Sequence, residues 1–96
     1  MFGSMKEITC ILKALANERR LKILKLLFKK GPLTVGDISF EIGLSFRSTS
    51  RHLLLLERTG LLTRKQIATS VFYSIAYPKS GTFTKKILVL LKKTLV

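Results

Sequence analysis

Arg47, Ser48, Ser50, Arg51 and Arg58 lie within Gly43-Leu44-Ser45-Phe46-Arg47-Ser48-Thr49-Ser50-Arg51-His52-Leu53-Leu54-Leu55-Leu56-Glu57-Arg58-Thr59-Gly60. Guanidinium groups offer planar forks of donors that match phosphate oxygens and guanine edges. Short hydroxyl side chains let a backbone come close to a partner. On a helical wheel Phe46, Thr49, Leu53 and Leu56 fall on one side, and Arg47, Arg51 and Arg58 on the other. Ser45 is the right type to cap such a helix, and Gly60 to close it. The segment therefore reads as a helix with a core face and an opposite cationic face, suited to a DNA major groove. A merely solvated helix with a basic surface fits the same pattern, so the rest of the chain must decide.

Groups for covalent or acid–base chemistry are few. The chain has one His, one Cys and 5 Asp plus Glu. Paired carboxylates, a supported Ser–His–Asp set and a glycine-rich phosphate loop are all missing from the pattern, which argues against an enzyme. His52 stands at the edge of the core face beside Ser48, and reads as a structural hydrogen bonder or a phosphate contact. Cys10, alone, excludes an intrachain disulfide and hence a disulfide-stapled scaffold. It reads as a small apolar residue or a subunit contact. A redox-sensing thiol, or a Cys10 bridge between subunits, is the sharper alternative.

The elements that must position these residues follow from composition and pattern. Ninety-six residues, 47% of them apolar, make one folded domain with a small core. The excess of 18 Lys plus Arg over 5 Asp plus Glu gives a net charge of +13 and implies a polyanionic partner. Nucleic acid leads, and an anionic membrane surface is second. The longest apolar run is too short to span a bilayer, and no signal-peptide pattern is evident, so the cytoplasm is the expected location. Residues 1–4 read as a cloning remnant before Met5, leaving residues 5–96 as the domain.

Residues 6–15 form the first expected helix, with Ile8, Ile11, Leu12 and Leu15 at helical spacing. Asn17 caps a second, which runs to about Phe28 on a stripe of Leu21, Leu24, Leu27 and Phe28, widened by Ile23. Its cationic end and Gly31-Pro32 stop it. Thr34-Val35-Gly36-Asp37 has capping-box spacing and opens a short helix that ends near Ile42-Gly43. Short helix, glycine turn and capped basic helix make a helix-turn-helix. Residues 61–67 and 70–76 then read as two strands of an antiparallel hairpin, with Val71, Tyr73 and Ile75 on one face and Phe72 on the other. A hairpin there is a wing, from which Arg64 and Lys65 can reach phosphate; a solvent-facing edge pair is the alternative. Ser80 or Thr82 caps a last helix to about Leu95. The expected class is mainly α with a small β-hairpin, a winged helix-turn-helix in the order α-α-α-α-β-β-α. The helices at 5–15 and 80–95 have broad apolar faces that a second copy would cover, giving a homodimer. A membrane-surface helix is the rival explanation for the last of them.

This order resembles the ArsR (ArsR/SmtB-type) family of winged helix-turn-helix repressors over nearly the whole chain from Met5. Three motifs carry the resemblance. Leu15-Ala16-Asn17-Glu18-Arg19-Arg20-Leu21-Lys22-Ile23-Leu24 looks like the family's opening. Leu44-Ser45, Ser50-Arg51-His52-Leu53, Leu56 and Gly60-Leu61-Leu62 match its recognition-helix signature, and Val71-Phe72-Tyr73-Ser74-Ile75 its second wing strand. The resemblance implies a dimer that binds an inverted-repeat operator in double-stranded DNA and blocks transcription, with many members released by an effector. It places Ser45, Arg47, Ser48, Ser50, Arg51 and His52 at or near the groove.

Departures from the family pattern bear on function. Leu33-Thr34-Val35-Gly36-Asp37 lacks the cysteine pair of metal-sensing members, and residues 80–95 lack Asp, Glu, His and Cys. The expectation is accordingly no metal site and no cofactor, with any effector unidentified. The wing tip is Ala68-Thr69 where the family often has glycine–arginine, leaving Thr69 to touch a phosphate. Four consecutive leucines from Leu53 to Leu56 exceed what one face can bury, so Leu54 or Leu55 meets a partner or the wing. Phe46 stands where the family is commonly polar; core packing is its expected role, with thymine-methyl contact as the alternative. An architectural or protein-interaction winged helix with little sequence preference remains the second functional reading.

Overall fold

A computed structural model describes residues 4–96, in the order α1 (Met5–Leu15), α2 (Glu18–Lys30), β1 (Leu33–Thr34), α3 (Val35–Ile42), α4 (Phe46–Arg58), β2 (Leu62–Ile67), β3 (Ser70–Ile75) and α5 (Phe83–Leu95). The five described helices start in one way: a side-chain oxygen accepts the backbone N–H three residues on. The pairs are Ser4 with Glu7 (3.2 Å), Asn17 with Arg20 (3.1 Å), Thr34 with Asp37 (3.1 Å), Ser45 with Ser48 (3.0 Å) and Thr82 with Lys85 (3.1 Å). Each cap satisfies an amide that the helix itself leaves unpaired. Of the stretch expected to be a cloning remnant, Ser4 caps α1 and residues 1–3 lie outside the described residues.

Glycines close the helices that frame the turn. Gly43 takes φ 80 and ψ 32, a left-handed conformation, and lets Leu44 N donate back to the Ser39 carbonyl at 3.1 Å. Gly60 repeats the device after α4 at φ 83, with Leu61 N donating to the Leu56 carbonyl at 3.1 Å. The chain between α3 and α4 is thereby reduced to a sharp corner.

The sheet is three-stranded in the order β1-β3-β2, antiparallel throughout. The expected hairpin is present, but β1 pairs Leu33 with Tyr73 and Thr34 with Phe72 as a third strand. Two residues are too few to show alternation, which is why pattern alone gave only two strands. Helix α2 also runs two residues further than expected, to Lys30, and the last helix begins after Thr82 and not Ser80.

One core joins Ile11 and Ala14 of α1, Ile23, Leu24 and Leu27 of α2, Ile38 of α3, Leu53 and Leu56 of α4, Leu61, Leu62, Tyr73 and Leu88. Full burial of one such aliphatic side chain stabilises by about 2 kcal/mol. Leu53 and Leu56 together therefore hold α4 more firmly than its propensity could. Phe46 does not join them: it is 62% exposed. It shares their helical phase, but it is the first residue of α4 and lies beyond the end of the core. Cys10 is likewise exposed on α1 and is no core residue.

Candidate nucleic-acid interface

Burial of Thr49, Leu53 and Leu56 sets the rotation of α4. That rotation turns Arg47 and Arg51 outward, both exposed. Two ion pairs occur among the described residues, Lys30–Glu41 at 3.3 Å and Arg64–Glu57 at 3.5 Å, and neither involves Arg47 or Arg51. Ser45 is exposed beside them with its Oγ committed to the cap, while Ser48 and Ser50 are half-buried. The first amides of α4 point out of the helix start, where the dipole favours an anion. Cations, small side chains and a positive helix end are thus collected on one short stretch.

His52 is held from the α2 side. It is half-buried, and the Arg20 guanidinium of α2 reaches its Nδ1 at 3.3 Å. A guanidinium has only donors, so Nδ1 accepts and the ring is the neutral tautomer with its proton on Nε2. Burial first, then the Arg20 and Arg19 charges, hold the imidazole below its ordinary value of 6.5. The Arg20 side chain also donates through Nε to the Ala14 carbonyl at 2.6 Å and through Nη2 to the Lys13 carbonyl at 3.2 Å. In the sequence Arg20 is marked only by its place in a motif, because a partner 32 positions away leaves no local trace.

On the wing, Arg64 stands opposite Tyr73 and Lys65 opposite Phe72, so the two cations leave the sheet on opposite faces. Arg64 lies on the side of buried Tyr73 and meets Glu57 at the end of α4. Both partners are substantially exposed, and such a pair is worth about 0–1 kcal/mol, so a phosphate can compete for Arg64. Thr69 is exposed at the tip beside Ala68, which adopts φ 57. Of the remaining leucines, Leu54 is exposed, and Leu55 lines a groove of about 490 Å³ with Cys10, Ile11 and Arg20. Among the described residues no group of three His, Cys, Asp or Glu side chains comes together to hold a metal, and no helix is long and apolar enough to cross a membrane.

A short helix, a glycine corner, a basic helix fixed by its buried face and a β-hairpin wing define a winged helix-turn-helix protein. Residues 17–64 match the model of the bacterial regulatory protein arsR family. The chain belongs to that family. The transcriptional activator HlyU of Vibrio cholerae is 44% identical over 66 residues, which are 69% of this chain and 60% of that protein's length. The regulator YgaV of Escherichia coli is 32% identical over 73 residues, 76% of this chain and 74% of that one. Among solved structures, HlyU from Vibrio cholerae superposes with a TM-score of 0.76 at 36% identity, covering 98% of this chain and 97% of that one. The homodimeric winged helix-turn-helix DNA-binding domain of Mb0332 from Mycobacterium bovis gives a TM-score of 0.77 at 29% identity, covering 94% and 79%.

Proposed function

We propose that the chain is a dimeric, sequence-specific regulator of transcription that acts by occupying DNA in the cytoplasm, as a repressor, with no metal or other cofactor. Each subunit lays the start of α4 in a major groove. A two-fold dimer then meets an inverted repeat with half-sites about one helical turn apart. Arg47 reads a base edge, and Arg51 takes a base or a phosphate. Ser45, Ser48 and Ser50 permit close approach, and the helix-start amides meet a phosphate. His52, with Nδ1 held by Arg20, has its Nε2–H left to donate to the backbone. Arg64, Lys65 and Thr69 steady the DNA from the wing.

The observation that carries this reading is the pair Arg47 and Arg51: exposed and outside every ion pair among the described residues, at the start of a helix whose other face is buried. Dimerisation is supported by the apolar side chains that α1 and α5 leave in water, Leu12 at 50% and Leu90 at 58% exposure. It is supported too by the relative described as homodimeric.

The test is selection of bound duplexes from a random pool by the purified protein, with salt titration of the winners. The expected result is an inverted repeat whose affinity falls steeply with salt as counterions are released. Arg47→Ala then relaxes preference at one position of each half-site, whereas Arg64→Ala weakens all sequences evenly. Binding without any recovered motif would overturn the reading. It would make the chain an architectural module, the alternative favoured by a wing tip without arginine.

A further inference from the structure

Phe46 is the first residue of the helix proposed to enter the groove, and it is well exposed to solvent. The neighbours on either side, Ser45 and Arg47, are exposed as well, while Thr49, one turn on, is fully buried. Phe46 is therefore the apolar side chain that the first turn of α4 offers to a partner. In helix-turn-helix proteins that turn is where side chains meet base edges. A phenyl ring has neither donor nor acceptor. Among the edges that bases present in the major groove, the thymine C5 methyl is the apolar feature. Any other edge covered by the ring gives up hydrogen bonds to water without replacement.

We propose that Phe46 is a specificity-determining residue that reads the C5 methyl of one thymine in each half-site. This rests on the DNA-reading function proposed above and names one of its contacts. Recognition has two parts: the methyl is withdrawn from water against the ring, and polar edges at the same position are penalised. The same chemistry extends to a cytosine methylated at C5, which carries its methyl group at the same place in the groove.

The experiment uses the site recovered by selection. Each thymine is replaced in turn by deoxyuridine, which removes the methyl and leaves the hydrogen-bonding edge intact. Affinities are measured for the natural chain, Phe46→Ala and Phe46→Leu. The natural chain is expected to lose about fourfold in affinity per methyl removed at one thymine of each half-site. Phe46→Ala is expected to bind the thymine and deoxyuridine duplexes equally, and Phe46→Leu to keep part of the difference. Placing cytosine at that position and then methylating it at C5 is expected to restore part of the lost affinity in the natural chain and not in Phe46→Ala. Each comparison is made within one variant, so a general loss of stability does not mimic the result. If Phe46→Ala discriminates thymine from deoxyuridine as well as the natural chain does, or if no thymine is sensitive in the natural chain, the assignment is overturned while the DNA-reading function stands. If selection recovers no motif at all, both fall together.

Discussion

The Arg20 guanidinium lies 3.3 Å from the His52 imidazole while two of its other nitrogens hold the carbonyls of Lys13 and Ala14. One side chain of α2 thus joins the end of α1 to the middle of α4. The arrangement requires His52 Nδ1 to be without a proton. Protonation would set donor against donor and place a third cation beside Arg19 and Arg20.

The pH dependence follows with a definite sign. Because the folded-state imidazole is held below 6.5, the folded chain binds fewer protons than the unfolded chain in the window just below that value. The contribution is fully present above 6.5 and is lost as pH falls from 6.5 through the folded-state value. Urea unfolding from pH 7.5 downward should show stability dropping in that window, with a flatter profile in His52→Gln. An NMR titration that put the His52 transition at or above 6.5 would remove the basis of this prediction.

Thr49 is fully buried, and its Oγ1 has no hydrogen-bond partner among the described residues. A buried hydroxyl without a partner carries its desolvation cost uncompensated. Thr49→Val keeps the shape and removes the hydroxyl. It should stabilise by about 1 kcal/mol, which for a domain of this size raises Tm by about 5 °C. A calorimetric Tm unchanged or lowered would show that the hydroxyl is satisfied in solution.

Ala68 holds φ 57 at the wing tip. A Cβ there crowds the following carbonyl at a cost of about 1–2 kcal/mol, which glycine avoids. Ala68→Gly should therefore stabilise, by about 1 kcal/mol after glycine's greater freedom in the unfolded chain is counted. Chemical denaturation of the two proteins side by side reads this directly, and a destabilised glycine variant would contradict it.

The apolar side chains on α5 predict the effect of charge. Leu90 is well exposed, so Leu90→Glu should leave the fold and its circular dichroism intact. If the face is covered by a second copy, sedimentation should show the mass of one chain for Leu90→Glu and twice that for the natural protein. Equal masses for the two would dissociate this face from dimerisation.

Much of the fold was legible because its punctuation is local. Asn17, Thr34, Ser45 and Thr82 are residues that cap, and each caps the helix it precedes. Gly43 and Gly60 sit where a left-handed turn is required. Strand alternation gave the hairpin and the shared face of Val71, Tyr73 and Ile75. What escaped is what periodicity does not encode. A wheel gives the phase of Phe46 but not its distance along the axis from the core. The groove that Leu55 shares with Cys10 and Ile11 forms only when α1 and α4 come together in the folded chain. The pairing of Arg20 with His52 exists only once α2 has packed. The individual DNA contacts proposed for α4 and the wing rest on residue type and exposure, which sequence supplied in part and the folded chain completed.

Thr34 belongs to two elements at once. Its backbone pairs with Phe72 in the sheet, and its Oγ1 accepts from the Asp37 amide in the first turn of α3. The hairpin is therefore riveted at its inner edge to the helix that braces α4. Thr34 thus adds a second path between the wing and α4, beside the Arg64–Glu57 pair and the short Gly60-Leu61 connection. The hairpin, α3 and α4 are in this way tied into one framework. On DNA, the width of the groove under the wing would fix the angle at which the reading helix enters, so base pairs that no side chain touches would still weigh in the choice of site.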